Sequence, residues 1–120
     1  MAQYMAVEKT LDDLHKNMPS VYEATVVSRS GMHIAGDAPK GVHLETFVAM
    51  SAILLGAAET ATGELKDKLK YVSVELSRSK MLLSSAGNRA LLVITSSDDV
   101  STDELAASMS KYADIIAGQI

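Results

Sequence analysis

The chain has 120 residues, 48% apolar and 22% charged, with a formal net charge of −4 and no cysteine. That length supports a single domain (residues 1–120) with a sizeable core, and the missing thiols exclude disulfides and thiolate metal sites. The acidic balance, four tyrosines and one phenylalanine argue against a nucleic-acid partner, whose phosphates call for basic patches and whose bases call for aromatic platforms.

The N-terminal MAQYMAVEKTLDDL has no basic segment leading into an apolar one, so no secretory signal is expected there. Tyr4, Val7, Leu11, Leu14 and Met18 recur at helical steps and predict a first helix over about Ala2 to Asn17, closed by Pro19. VYEATVVS (Val21 to Ser28) is rich in β-branched and aromatic residues and predicts a strand. Arg29-Ser30-Gly31 is a short turn, and Met32 to Gly36 returns as a second strand. Asp37 to Gly41 is a loop.

A long helix is predicted from Leu44 to Leu69, and its sides differ. Leu44, Phe47, Val48, Ser51, Leu54, Leu55, Ala58, Leu65 and Leu69 form a broad core-facing stripe. Ala49, Ala52, Gly56, Thr60 and Gly63 form a second stripe in which every side chain is small or absent. Glycine within a helix costs about 1 kcal/mol against alanine, so two glycines on one stripe point to a second backbone close by. We read that backbone as the same helix of a second copy. A third sector holds Met50, Ile53 and Ala57, and we read it as a surface for a further partner, because methionine suits adaptable contacts.

Tyr71 to Ser77 alternates cleanly and predicts an edge strand; Tyr71, Ser73 and Glu75 share one of its faces, and its free edge needs cover or a partner. Lys80 to Ala86 and Arg89 to Ser96 follow as strands joined by a Gly87-Asn88 turn. The run Ala90 to Ile94 is apolar on both faces, which places that strand in the middle of a sheet covered on both sides. Ser101 followed by Glu104 is a capping box opening a last helix with Leu105, Met109, Tyr112, Ile116 and Ile120 on one face. The order is α-β-β-α-β-β-β-α. It predicts an α+β sandwich: a five-stranded antiparallel sheet, the long helix on one face and the two terminal helices on the other. No apolar run is long enough to cross a membrane uninterrupted.

Candidate chemistry is sparse. Phosphate-binding glycine loops are absent. Ser77-Arg-Ser-Lys80 matches an S-x-x-K pattern but falls in a strand turn rather than at a helix start, so it reads as coincidence. His15, His33 and His43 lack metal-ligand spacing, and Asp98, Asp99, Asp103 and Glu104 read as acids serving a helix N-terminus. Arg29, Arg78 and Arg89 each lie at a strand end or turn and read as solvated charges rather than an arginine finger. No catalytic trio, cofactor site or metal site is assigned.

The succession VVSRSGMHIAGD, ETFVAMSAILLGAAETATGEL and ALLVITSS resembles the Roadblock (dynein light-chain-like) family, in particular its prokaryotic branch of MglB-like regulators of small GTPases. The resemblance covers about Val7 to Ile116. It implies a profilin- or longin-like sandwich, and a homodimer in which long helices pack side by side and third strands pair edge to edge. It also implies a cytoplasmic, non-catalytic scaffold or regulator that binds a Ras-like GTPase, with a GTPase-activating or adaptor role. Two alternatives are a small-ligand sensor with a pocket between helix and sheet, and a scaffold subunit working without a GTPase.

Overall fold

A computed structural model describes residues 2–120. It has eight elements: α1 (Ala2–Asn17), β1 (Val21–Ser28), β2 (His33–Gly36), α2 (Leu44–Gly63), β3 (Val72–Glu75), β4 (Ser79–Ala86), β5 (Ala90–Ser97) and α3 (Thr102–Ala117). The strands form one antiparallel sheet in the order β2-β1-β5-β4-β3, so the doubly apolar β5 lies at its centre as expected. Alternation along β5 splits its side chains between two cores. Ala90, Leu92 and Ile94 join Val7, Leu11 and Leu14 of α1 and Leu105, Met109 and Ile116 of α3. Leu91 and Val93 join Val48 and Leu55 of α2. The sandwich of one helix, a sheet and two helices is thus the predicted one.

Local chemistry explains the joints. Ser101 caps α3, its Oγ accepting the Glu104 amide at 3.4 Å. Lys80 is only 5% exposed on β4, and its Nζ donates to Val100 O at 2.6 Å and Thr102 Oγ1 at 3.1 Å, which pins the turn entering α3. After β2 the chain turns at Gly36 with φ +84°, where any Cβ would stand 2.1 Å from the Ala24 carbonyl oxygen. Thr25 Oγ1 then donates to Asp37 O at 2.8 Å and holds the outgoing loop. His43 caps α2, its Nδ1 accepting the Thr46 amide at 3.3 Å.

Two elements end more than one residue from where the sequence reading puts them, and the other strand limits differ by a single residue. The long helix stops at Gly63 rather than Leu69: the amides of Leu65 and Lys66 turn back to Thr62 O and Gly63 O, and Lys66 takes a left-handed φ of +56°. Leu65 is 74% exposed, so a further turn would have had no packing surface to hold it against glycine's poor helix propensity. Leu69 reaches the sheet from the following loop instead. The third strand is Val72–Glu75, shorter than Tyr71 to Ser77, because Leu76 and Ser79 close a tight turn through Leu76 N–H and Ser79 O. The core stripe of α2 is also narrower than expected. Val48, Ser51 and Leu55 are buried, whereas Leu44 and Leu54 remain 39% and 38% exposed.

Candidate functional site

The outer face of α2 leaves a long apolar surface without cover from the described residues of this chain. No uninterrupted apolar run is long enough to cross a membrane, but α2 as a whole is by length and composition apolar enough to do so; it lies on the sheet through one narrow strip, and only 17% of its most apolar window is buried. From Thr46 to Ala58 it carries no charge, and Met50 and Ile53 are 53% and 60% exposed. Isolated exposed apolar residues are ordinary; a continuous uncharged helix face is not.

The small stripe lies within this face. A Cβ added at Gly56 or Gly63 would meet nothing within 4 Å, so no backbone of the same chain approaches either glycine. At its N-terminal end the stripe does meet the chain. Gly31, with φ +90°, sits over Ala49, and a Cβ there would come within 3.1 Å of the Ala49 Cα. Ala52 also leans partly onto the sheet-side core. Between these points Ala49, Ala52, Gly56 and Thr60 form an open groove beside Arg29 and Ser30, and Ile53 and Ala57 form its outer lip. Two sectors expected to be separate, one for a second copy and one for another partner, therefore border the same groove. Met50 lies outside it.

Arg29 forms the wall of this groove. Its Nη1 donates to Glu59 Oε1 at 2.6 Å and its Nη2 to Oε2 at 3.2 Å, with Gly87 O at 3.4 Å. This is the one ion pair among the described residues, and it ties the β1–β2 turn to the C-terminal half of α2. Arg78 and Arg89 are exposed. No sequence signal links residues thirty apart in this way.

The remaining expected interface residues lie elsewhere. β3 is an edge strand, with Val72 and Val74 turned towards the α2 core and Ser73 and Glu75 exposed on the other face. Tyr71 precedes the strand rather than belonging to it; its ring packs on the core shared by α1 and α3, and its hydroxyl donates to Asp103 Oδ1 at 3.2 Å. Burial, then that bond and the Asp103 charge, push the Tyr71 phenol above its ordinary range. β1, next to the groove, is separated from β3 by β5 and β4, so the stripe's groove and the free edge are distinct parts of the surface.

The other candidates do not converge. Ser77 is exposed while Lys80 is buried against the α3 turn, so S-x-x-K forms no pair. His33 Nε2 bonds Gly36 O at 2.8 Å and His43 caps α2. Among the described residues no three of His, Asp and Glu gather as metal ligands would.

A profile of the Roadblock/LC7 domain matches residues 7–96. No curated protein matches by sequence. Among solved structures the chain is similar to MglB with a tetrameric arrangement, with a TM-score of 0.87 and 19% identity over 99% of this chain and 90% of that one. It is similar to the gliding protein MglB of Thermus thermophilus, with a TM-score of 0.86 and 18% identity over 99% and 91% of the two chains. Profilin II of Acanthamoeba castellanii matches at a TM-score of 0.65 and 18% identity over 93% and 97%. At such identities these likenesses establish the fold.

Proposed function

We propose, for a chain that belongs to the Roadblock/LC7 family, that it is a homodimeric regulator or scaffold which binds a Ras-like small GTPase and performs no chemistry of its own. The observation that carries this reading is the uncharged outer face of α2, left open by the chain's own fold. An exposed apolar helix face of that length marks a surface for another molecule.

In this reading a second copy lies along the small stripe, with Ala49, Ala52, Gly56, Thr60 and Gly63 in the seam. The β3 edge, at Ser73 and Glu75, supplies main-chain hydrogen bonds to its counterpart. Tyr71 contributes by holding the approach to β3 rather than by touching the partner. Met50, Ile53 and Ala57 remain the surface for the GTPase. The MglB chain of similar fold that is described with a tetrameric arrangement gives self-association a precedent. The GTPase partner rests on the family resemblance. A cytoplasmic location accords with a chain that contains no cysteine.

Light scattering on the purified chain tests the first part: a dimer is expected at micromolar concentration, and a monomer there overturns it. Capture of GTP-loaded Ras-like proteins from the source cell on immobilised protein tests the second. Capture of none of them overturns the partner assignment while leaving the dimer standing.

A further inference from the structure

On the sheet face opposite α2, the two terminal helices leave the β3–β4 margin partly bare, and a cavity of about 450 Å³ lies there against α3. Its helical wall carries Asp103, Ala107, Ser110 and Asp114. An eleven-residue spacing returns to the same line on a helix, so the two aspartates stand at opposite ends of one strip, about 16 Å apart at 1.5 Å per residue. Between them the wall is mostly alanine, which is why α3 leaves room. The opposite wall is Tyr71, whose hydroxyl engages one oxygen of Asp103 and leaves the other free.

The floor is Ser84. It is 6% exposed, and its Oγ is the only buried side-chain polar atom among the described residues with no hydrogen-bond partner. Its neighbours on the same face of β4, Leu82 and Ala86, belong to the apolar core. A buried hydroxyl without a partner is costly, and alanine would occupy this position without that cost. The serine is explained if its partner arrives from the cavity.

We propose that this cavity binds a linear aliphatic polyamine. Its terminal ammonium groups pair with Asp103 and Asp114, its methylenes lie on the alanine wall, and an interior N–H donates to Ser84 Oγ. A cation-bearing chain with apolar spacers matches a strip of carboxylate, alanine and carboxylate better than an anion or a wholly apolar ligand does. Lys70, the one cation lining the mouth, is exposed and its flexible stem can turn to solvent. This site is on the other face of the sheet from α2 and does not depend on the GTPase reading.

Thermal unfolding of the full chain with spermidine tests it, against sodium chloride and magnesium chloride at matched ionic strength. Spermidine at millimolar concentration is expected to raise the melting temperature by several degrees, with neither salt reproducing the shift. Asp114→Asn, at an exposed position that leaves the fold intact, is expected to abolish the shift. Ser84→Ala is expected to melt higher than the native chain without ligand and to respond weakly to spermidine. The proposal is overturned if spermidine gives no shift, if magnesium gives an equal one, or if both variants respond as the native chain does.

Discussion

Arg29 and Glu59 meet 2.6 Å apart in a two-pronged contact that joins the turn after β1 to the second half of α2. The geometry is that of a guanidinium matched to a carboxylate, but the side chains are 30% and 37% exposed, so solvent screens much of the attraction. The pair's main consequence is positional. It fixes the wall of the groove along the small stripe, and it occupies the arginine of that wall with a partner inside its own chain.

Replacing Glu59 with Gln is therefore expected to lower stability modestly, by about 0.5–1 kcal/mol, as surface pairs of good geometry do. Thermal unfolding at low and high salt checks this. The difference between variant and native chain should shrink as salt rises.

Gly56→Leu separates the subunit from the assembly. A Cβ at this position meets no atom of its own chain within 4 Å and opens onto the groove, so the fold of one subunit should survive. In a seam between two copies the same side chain overpacks by about 1–3 kcal/mol, which corresponds to a roughly five- to 150-fold weaker dimer. Sedimentation equilibrium reads both effects: a variant that dimerises as tightly as the native chain shows that the stripe is not the seam.

Gly36→Ala should have the opposite profile, harming the subunit itself. With φ at +84° and a carbonyl oxygen 2.1 Å from the position of any Cβ, the β2 exit would have to shift. A loss of more than about 2 kcal/mol is expected by denaturant unfolding, in the range of strained-backbone and overpacking costs.

Tyr71 makes the alkaline limb of stability legible. Its phenol titrates above its ordinary value in the fold, chiefly through burial and then through the bond to Asp103 and that residue's charge. A proton held more tightly by the folded state gives stability that is fully present below the unfolded pKa near 10 and is lost as pH rises through the folded value. Tyr71→Phe should flatten that loss. Ultraviolet titration of the native chain should show two tyrosines ionising later than a free phenol, Tyr71 and Tyr4, whose phenol is also raised, by its bond to Glu8. Tyr71→Phe should remove one of them, and an unchanged late phase would show that Tyr71 is not among them.

The fold was readable in the sequence wherever local pattern and long-range packing agree. The doubly apolar run Ala90 to Ile94 announced a central strand, Pro19 closed α1, and Ser101 with Glu104 opened α3. The end of α2 was not readable, because Leu65 fits the helical period and only the sheet's extent decides that nothing lies beneath it. The site divides the same way. Small residues at Ala49, Ala52, Gly56 and Thr60 advertise themselves by spacing alone. The Arg29–Glu59 wall and the Ser84 floor depend on which strands become neighbours, and no local spacing encodes that.

Met50 tests whether the outer face of α2 serves one contact or two. It is 53% exposed and stands outside the groove that holds the small stripe together with Ile53 and Ala57. A charge placed there should spare a seam built on Ala49, Ala52, Gly56 and Thr60, while placing an unpaired carboxylate at any second interface on the helix. Such a carboxylate costs several kcal/mol when a partner buries it. Met50→Asp is thus expected to remain dimeric by light scattering and to lose GTPase capture about a hundred-fold or more, whereas Ile53→Asp, on the lip of the groove, should weaken both. If Met50→Asp dissociates the dimer and Gly56→Leu does not, the seam lies on the Met50 side of α2 and the small-stripe groove is the free surface.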